Sequence, residues 1–324
     1  MMIYMYSKEE MRELLPSAAV SKFDDIVYSR VLGANAHTRL IQKILLDIAD
    51  QDLDSEEMLT LLGKCAQFFK DTRGQNSRAI YNAIMIFTRG YEHLHGHDVE
   101  EIRQIVKEQI TAYDKQAKKD TETLVSYGVH LCENMESIMI FDYSSTVDAF
   151  VSALPSGRHI YICESRALDG GRPFVKNALA SGHHVHFIPD TTMLSAMKKC
   201  QAVFIGAETI YPDGTVFNTI GSDIVAMLCV TIHKPLYVLT PLIKLDMRPL
   251  EGYVRCSAMP FDYGERLASH WDEDVRSNVD FSGFKLLEIE AEMIRGYITE
   301  KGILPPSGLY VEARAYAKEL EERQ

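Results

Sequence analysis

Residues 206–228 read GAETIYPDGTVFNTIGSDIVAML. The apolar run 202–207 ends in a carboxylate, Glu208, and a tight turn follows at Pro212-Asp213-Gly214. Asn218-Thr219-Ile220-Gly221-Ser222 then opens an apolar helix. A carboxylate, small polar residues and a helix N-terminus thus converge outside the C-terminal end of a parallel strand. Open α/β sheets hold ligands there, and the backbone N–H groups at a helix start attract phosphate. The pattern points to a phosphorylated small molecule. A second carboxylate, Asp142, follows another apolar run, Ser137–Phe141. If the two strands are neighbours, Asp142 and Glu208 face one pocket. Mutual repulsion and partial burial then raise at least one pKa and make an acid/base pair. Such a pair suits an aldose–ketose isomerisation, in which a hydrogen moves between adjacent carbons and hydroxyl protons are shuttled. The alternative is a pair that only binds sugar hydroxyls or caps helices.

The rest of the chain must build the sheet that carries these residues. Up to about residue 130 the periodicity is helical, with apolar residues at three- and four-residue spacing over 38–49, 56–69 and 79–87. Ser55, followed by Glu56 and Glu57, marks a helix start. Residues 99–127 form a long charged helix that keeps one apolar stripe, and Gly128 closes it. After Gly128 short apolar runs alternate with helices. The expected strands are Ser137–Phe141, His159–Cys163, His184–Ile188, Ala202–Ile205 and Leu236–Leu239. The expected helices are 146–154, 172–180, 192–199 and 223–232. This alternation implies a mostly parallel sheet with right-handed crossovers. The tail contains a helix over 283–297 and a polar C-terminal helix over 310–323. The fold class is therefore α/β: an N-terminal helical domain (1–127, with the long linker helix) followed by a Rossmann-like parallel-sheet domain (128–324). No GxGxxG follows the first strand, so no dinucleotide cofactor is implied, and no other cofactor is expected.

A chain of 324 residues is long enough for two cores. Its net charge of −12 argues against a broad nucleic-acid surface. The N-terminus meets acidic residues too early for a signal peptide, and no apolar run reaches membrane-spanning length. Six scattered cysteines, Cys65, Cys132, Cys163, Cys200, Cys229 and Cys256, form no CxxC and read as reduced thiols of a cytoplasmic protein.

Several segments match one family in order and spacing: Gly33-Ala34, Thr72-Arg73-Gly74, residues 138–145, Cys163-Glu164-Ser165-Arg166 with Gly171, Ile188-Pro189-Asp190, Gly206-Ala207-Glu208, residues 218–222 and residues 299–306. The chain resembles the superfamily of the regulatory alpha, beta and delta subunits of eukaryotic translation initiation factor 2B, which also contains the methylthioribose-1-phosphate and ribose-1,5-bisphosphate isomerases. The resemblance implies a pocket between the two domains and a homo-dimer or larger homo-oligomer. Departures from the isomerases fall at the chemistry. Their strand-end His-Cys-Asn, with its catalytic cysteine, is Phe141-Asp142-Tyr143 here, and their Gly-Ala-Asp is Gly-Ala-Glu at Glu208. Their lysine after the motif asparagine is Thr219, and the prolines of their Arg-Pro motifs are Gly74 and Ala167. Gly-Ala-Glu and Tyr143-Ser144 are closer to the non-isomerising alpha subunit.

The resemblance makes Arg73 and Arg166 phosphate ligands, because guanidinium forks grip phosphate oxygens in pairs. The other reading is surface salt bridging. Gly33 and Ala34 bring backbone N–H groups to the same phosphate, or merely permit close helix packing. Asn218 binds sugar hydroxyls, or serves as a turn or cap residue. No metal is expected. The histidines of His93-Leu94-His95-Gly96-His97 read as a solvated loop. Those of Gly182-His183-His184-Val185-His186 alternate across a strand and do not easily meet on one ion. Two functions stand. One is an isomerase-like enzyme on a phosphorylated pentose derivative, using Asp142 and Glu208. The other is a non-catalytic regulatory subunit sensing a sugar phosphate or nucleotide in the same pocket.

Overall fold

A computed structural model describes residues 6–28, 30–31, 33–254 and 258–322. Cys256 lies outside them. The chain divides into two compact units, Met1–Lys119 with Tyr316–Gln324, and Asp120–Ala315.

The first unit is helical: α1 (Lys8–Leu14), α2 (Ser17–Val27), α3 (Ala34–Ala49), α4 (Ser55–Asp71), α5 (Arg73–Asn76), α6 (Arg78–Phe87) and the first part of α7 (Val99–Leu131). Helix α4 starts on a capping box in which Asp54 accepts from the Glu57 N–H and Glu57 reaches back to the Asp54 N–H. The helix thus begins at Ser55, as expected, with Asp54 as its cap. Met58, Leu62, Cys65, Ala66 and Phe69 then recur on the buried face of α4. Phe23 of α2 meets Phe68 and Phe69 with ring centres 5.3 and 5.7 Å apart, tilted as aromatic quadrupoles prefer.

The second unit is built on a seven-stranded sheet. Its strands are β1 (Ser137–Phe141), β2 (His159–Cys163), β3 (His184–Ile188), β4 (Ala202–Ile205), β7 (Leu236–Leu239), β10 (Gly296–Thr299) and β11 (Gly302–Leu304), in the spatial order β11-β10-β7-β4-β1-β2-β3. All pairings are parallel except β10 with β11. In sequence α8 (Ser145–Ala153) follows β1, α9 (Arg172–Ala180) follows β2, α10 (Met193–Met197) follows β3 and α11 (Ser222–Thr231) precedes β7. A second, antiparallel sheet holds β5 (Thr209–Ile210), β6 (Val216–Thr219), β9 (Ser282–Ile289) and β8 (Ala258–Asp262), in the order β5-β6-β9-β8. Short helices α12 (Gly264–Ala268) and α13 (Glu273–Arg276) sit between β8 and β9 in sequence, and α14 (Pro306–Glu322) ends the described chain. The core gathers Ile138, Ile140, Phe150, Ile160, Ile162, Phe174 and Phe204 with Leu124 of α7. Strand order runs outward in both directions from the β1–β4 pair, which makes its C-terminal edge the switch point of the sheet.

Four expectations need correction. Gly128 does not close the long helix, which continues to Leu131. A Cβ there would come within 2.9 Å of the Phe150 ring, so Gly128 permits close packing of α7 on the core. Residues 283–297 form no α-helix; they hold most of β9, a 3-10 turn at Ala291–Met293 and the start of β10. Leu286, Leu287 and Ile289 pair with β6, and that tertiary pairing overrides a spacing that fitted either period. Asn218 and Thr219 lie in β6, so the helix opens only at Ser222, after Gly221 at φ +95°. The stretch 192–199 is a 3-10 turn, Asp190–Thr192, followed by the short α10.

The five described cysteines are free and buried, and burial pushes the Cys132, Cys200 and Cys229 thiols up to about 12. No helix among the described residues is long and apolar enough to cross a membrane.

Two glycines give opposite expectations. Gly63 lies in α4 with open space where a Cβ would go, so Gly63→Ala should add about 0.5–1 kcal/mol by helix propensity. At Gly171 a Cβ would fall 1.8 Å from the Cys163 carbonyl oxygen, and backbone cannot yield cheaply. Gly171→Ala should cost about 1–3 kcal/mol or more. Thermal unfolding of both variants beside the parent checks this. A Gly171→Ala protein as stable as the parent would refute the packing.

Candidate functional site

In the α/β unit the site starts where β1 ends. Ile138, Met139, Ile140 and Phe141 are buried, and the next residue, Asp142, turns the chain at φ +56°. Few side chains tolerate that left-handed conformation, and aspartate is among those that do. Ser165, just past β2, has the same kind of backbone at φ +49°. Its hydroxyl donates to Asp142 Oδ1 at 3.0 Å, and the Thr219 hydroxyl donates to Oδ2 at 2.6 Å. One carboxylate therefore ties together the ends of β1, β2 and β6. Burial raises the Asp142 pKa, while Thr219, Ser165, the Tyr143 N–H and the charge of Lys285 pull it back; burial wins.

Neighbouring glycines allow this crowding. A Cβ on Gly170 would lie 1.9 Å from Asp142 Oδ1, and one on Gly206 would lie 2.5 Å from Ser144 Cβ. At Gly221 it would strike the Phe141 ring at 2.6 Å. Three helices begin beside these residues: α8 capped by Ser144, α9 after Gly171 and α11 after Gly221. Their N-terminal dipole ends favour an anion. The loop after β2 is fixed by Asp190, whose carboxylate accepts the N–H groups of Ser165 and Arg166 at 2.9 and 2.8 Å.

Glu208 follows β4, the parallel neighbour of β1, and its N–H donates to the Phe217 carbonyl. Its charged neighbour is Lys244. That ammonium donates to the Ala207 carbonyl, and its pKa is lowered by burial against the upward pull of Glu208. The expected repulsion between Asp142 and Glu208 is not what raises Asp142. Burial does so, against the downward pull of Lys285. The turn carrying Lys244, Leu242–Lys244, is held by Glu300, which accepts the Leu242 N–H. Burial pushes the Glu300 carboxyl up to about 7.

The Asn218 amide is buried and donates to Ser222 Oγ at 3.0 Å, which ties β6 to the start of α11. Arg166 is exposed, and its guanidinium stands 3.9 Å from Asp169, which Arg266 also approaches at 3.9 Å.

In the helical unit, Gly33 (φ +96°) caps α3 without a side-chain hydrogen bond, and Ala34 begins the helix. One turn on, His37 is buried and its Nε2 lies 2.7 Å from the Val31 carbonyl. A carbonyl requires Nε2 to be the donor, so Nδ1 is left to accept from Arg73 Nη2 at 3.1 Å. A neutral His37 thus positions the Arg73 guanidinium. Gly33, Ala34 and Arg73 belong to this unit; Asp142, Arg166, Glu208 and Asn218 belong to the other.

Sequence reasoning missed His37, Ser165, Thr219, Lys244 and Lys285. Ser165 and Thr219 stand inside quoted motifs, so position was a signal there. Lys285 was hidden because its segment reads as helix. The carboxylate cluster nonetheless matches the chemistry of a polar-ligand site: a partly buried acid, hydroxyl donors, two lysines and helix N-termini.

A sequence model of the initiation factor 2 subunit family matches residues 30–306. The translation initiation factor eIF2B subunit delta of Dictyostelium discoideum is 22% identical over 90% of this chain and 50% of its own length. The methylthioribose-1-phosphate isomerase of Thermosipho melanesiensis is 28% identical over 61% of this chain and 57% of its own. The chain thus spans about half the length of these curated relatives. The solved 5-methylthioribose 1-phosphate isomerase of Pyrococcus horikoshii shares the fold, with TM-score 0.75 and 17% identity over 97% of this chain and 92% of that one. Its relatives therefore include both isomerases and initiation-factor subunits, and with most of its length matched the chain belongs to the initiation factor 2 subunit (IF-2B) family.

Proposed function

We propose that the chain binds a phosphorylated sugar in the cytoplasm and interconverts its aldose and ketose forms, a pentose derivative being the substrate class. The observation that carries the reading is Asp142. It is a partly buried carboxyl with raised pKa at the sheet's switch point, hydrogen-bonded by Ser165 and Thr219. In this reading Arg73, Arg166, Gly33 and Ala34 hold phosphate, and Asn218 supports the sugar side of the site. Glu208, facing Lys244, takes a proton from the substrate carbon. Asp142 hands one to the neighbouring oxygen. A raised pKa leaves Asp142 more protonated at a given pH, as a general acid needs.

A second reading, a regulatory subunit sensing a sugar phosphate or nucleotide, is favoured by one specific observation. Both Asp142 oxygens already accept hydrogen bonds from the protein itself.

For assembly we propose a homo-dimer or larger homo-oligomer. The loop after β7, Thr240-Pro241-Leu242-Ile243, offers little apolar surface, since Thr240 and Leu242 are fully buried. Ile224, Met227 and Val230 instead expose one apolar stripe of α11, spaced three residues apart. Light scattering should find a particle of at least twice the 36.7 kDa chain mass, and Met227→Glu should lower it. A monomer at micromolar concentration would contradict the assembly.

Turnover and binding together separate the two functional readings. Asp142→Asn should cut aldose–ketose conversion, followed by NMR, by about a hundred- to ten-thousand-fold while sugar-phosphate binding survives. Loss of folding is not the expected cause. Asp142 has a folded pKa above the ordinary 3.8, so its ionisation costs stability as pH rises from there through the raised value. Asparagine removes that cost but can accept only one of the two hydroxyl bonds, so the variant should stay folded at pH 7 with a Tm close to the parent's. Arg73→Ala and Arg166→Ala should instead shrink the thermal stabilisation by ligand, which for the parent is roughly 2.7 kcal/mol at a hundred times Kd. Binding without conversion by the parent, across a panel of phosphorylated pentoses, would replace the isomerase with the sensor.

A further inference from the structure

At the opposite, N-terminal ends of the strands lies a cluster of imidazoles with no part in the candidate site. β2 and β3 pair in parallel with His159 opposite His184 and Tyr161 opposite His186. Residues two apart share a face of a strand, so these four rings line one face at the sheet's edge. The alternation argument separates His183, which is buried with Nε2 2.9 Å from the Val151 carbonyl, from His184 and His186. It does not account for His159, which the neighbouring strand supplies. The His159 ring stacks on His184 at 4.9 Å and on His186 at 5.3 Å, and Tyr161 stacks on His186 at 4.3 Å. His159 Nδ1 stands 2.9 Å from His186 Nε2.

We propose that His159 and His186 chelate a divalent transition-metal ion of the zinc, nickel or copper class, through Nδ1 and Nε2 respectively. Two imidazole nitrogens on a tetrahedral zinc ion, with bonds of about 2.0–2.1 Å, are roughly 3.3 Å apart. The observed 2.9 Å is a ring-to-ring hydrogen bond, so metal binding shifts its proton to the donor ring's other nitrogen, opens the pair by a few tenths of an ångström and turns both lone pairs toward the ion. Imidazole is a ligand for these metals, and only its neutral form binds. Among the described residues no group of three His, Cys, Asp or Glu side chains is placed to hold one ion. The site is therefore a two-histidine chelate completed by water, and His184 stacks beside it on the same face. A bound ion clips the edge strand β3 to β2 and stabilises the folded chain by mass action.

The full chain, stripped with EDTA, is titrated with zinc chloride at pH 7.5 by calorimetry, and its histidine ring resonances are followed by 15N–1H NMR. The His93, His95 and His97 rings pair with Glu92, Glu56 and Glu101, so a loop variant with these three histidines changed to alanine serves as control. Parent and loop variant should both show saturable uptake that shifts the His159 and His186 ring signals and raises Tm. His159→Ala and His186→Ala should each weaken that uptake at least tenfold, and His184→Ala should weaken it less. Unchanged His159 and His186 signals in the parent at saturating zinc would overturn the proposal. So would equal uptake by parent and the His159→Ala/His186→Ala double variant.

Discussion

The hydrogen bonds that Asp142 accepts from Ser165 and Thr219 join three strand ends that are far apart in sequence. The arrangement needs a left-handed residue at the end of β1, another at the end of β2, and glycines wherever a Cβ would intrude. None of these features suits a plain strand-to-helix connection, and each carries a cost in strain or chain entropy. They persist because the buried sheet beneath them, with Ile138, Ile140, Ile160, Ile162 and Phe204 in one core, holds both strand ends in place.

Electrostatics at this edge are arranged in separate pairs. Asp142 is desolvated and opposed by Lys285 from β9, while Glu208 is opposed by Lys244 from the turn that Glu300 secures. The raised pKa of Asp142 is a carboxyl perturbation at this edge that suits a general acid. Within the helical unit, by itself, a cationic side chain is also fixed in place. A buried His37, fixed in one tautomer by the Val31 carbonyl, orients Arg73 near the start of α3.

The five neighbouring parallel strands from β7 to β3 and their crossover helices were legible because each strand is a short apolar run between turns. Asp142 and Glu208 were legible as the polar residues that end such runs. The second sheet was not. β6 is four residues long, and β9 carries apolar side chains at a spacing that fits helix or strand, so only their pairing decides. Misreading β9 also concealed Lys285. Gly128 was misjudged for a related reason: a glycine after a helical run reads as a stop, whereas here the Phe150 ring needs the space. His37 left no mark in periodicity, since a core histidine and a positioning histidine occupy the same helical face.

The account turns on a carboxyl that burial keeps more easily protonated than an ordinary aspartate. The most direct measurement is the side-chain carboxyl 13C resonance of Asp142 across a pH titration, assigned by its disappearance in Asp142→Asn. The account predicts a midpoint clearly above 3.8, with Lys285→Met moving it further up because a cation that favours the ionised form is lost. A midpoint at or below 3.8 would contradict it: the hydroxyl and amide hydrogen bonds would then outweigh burial, and Asp142 would be a structural anchor with no proton to give.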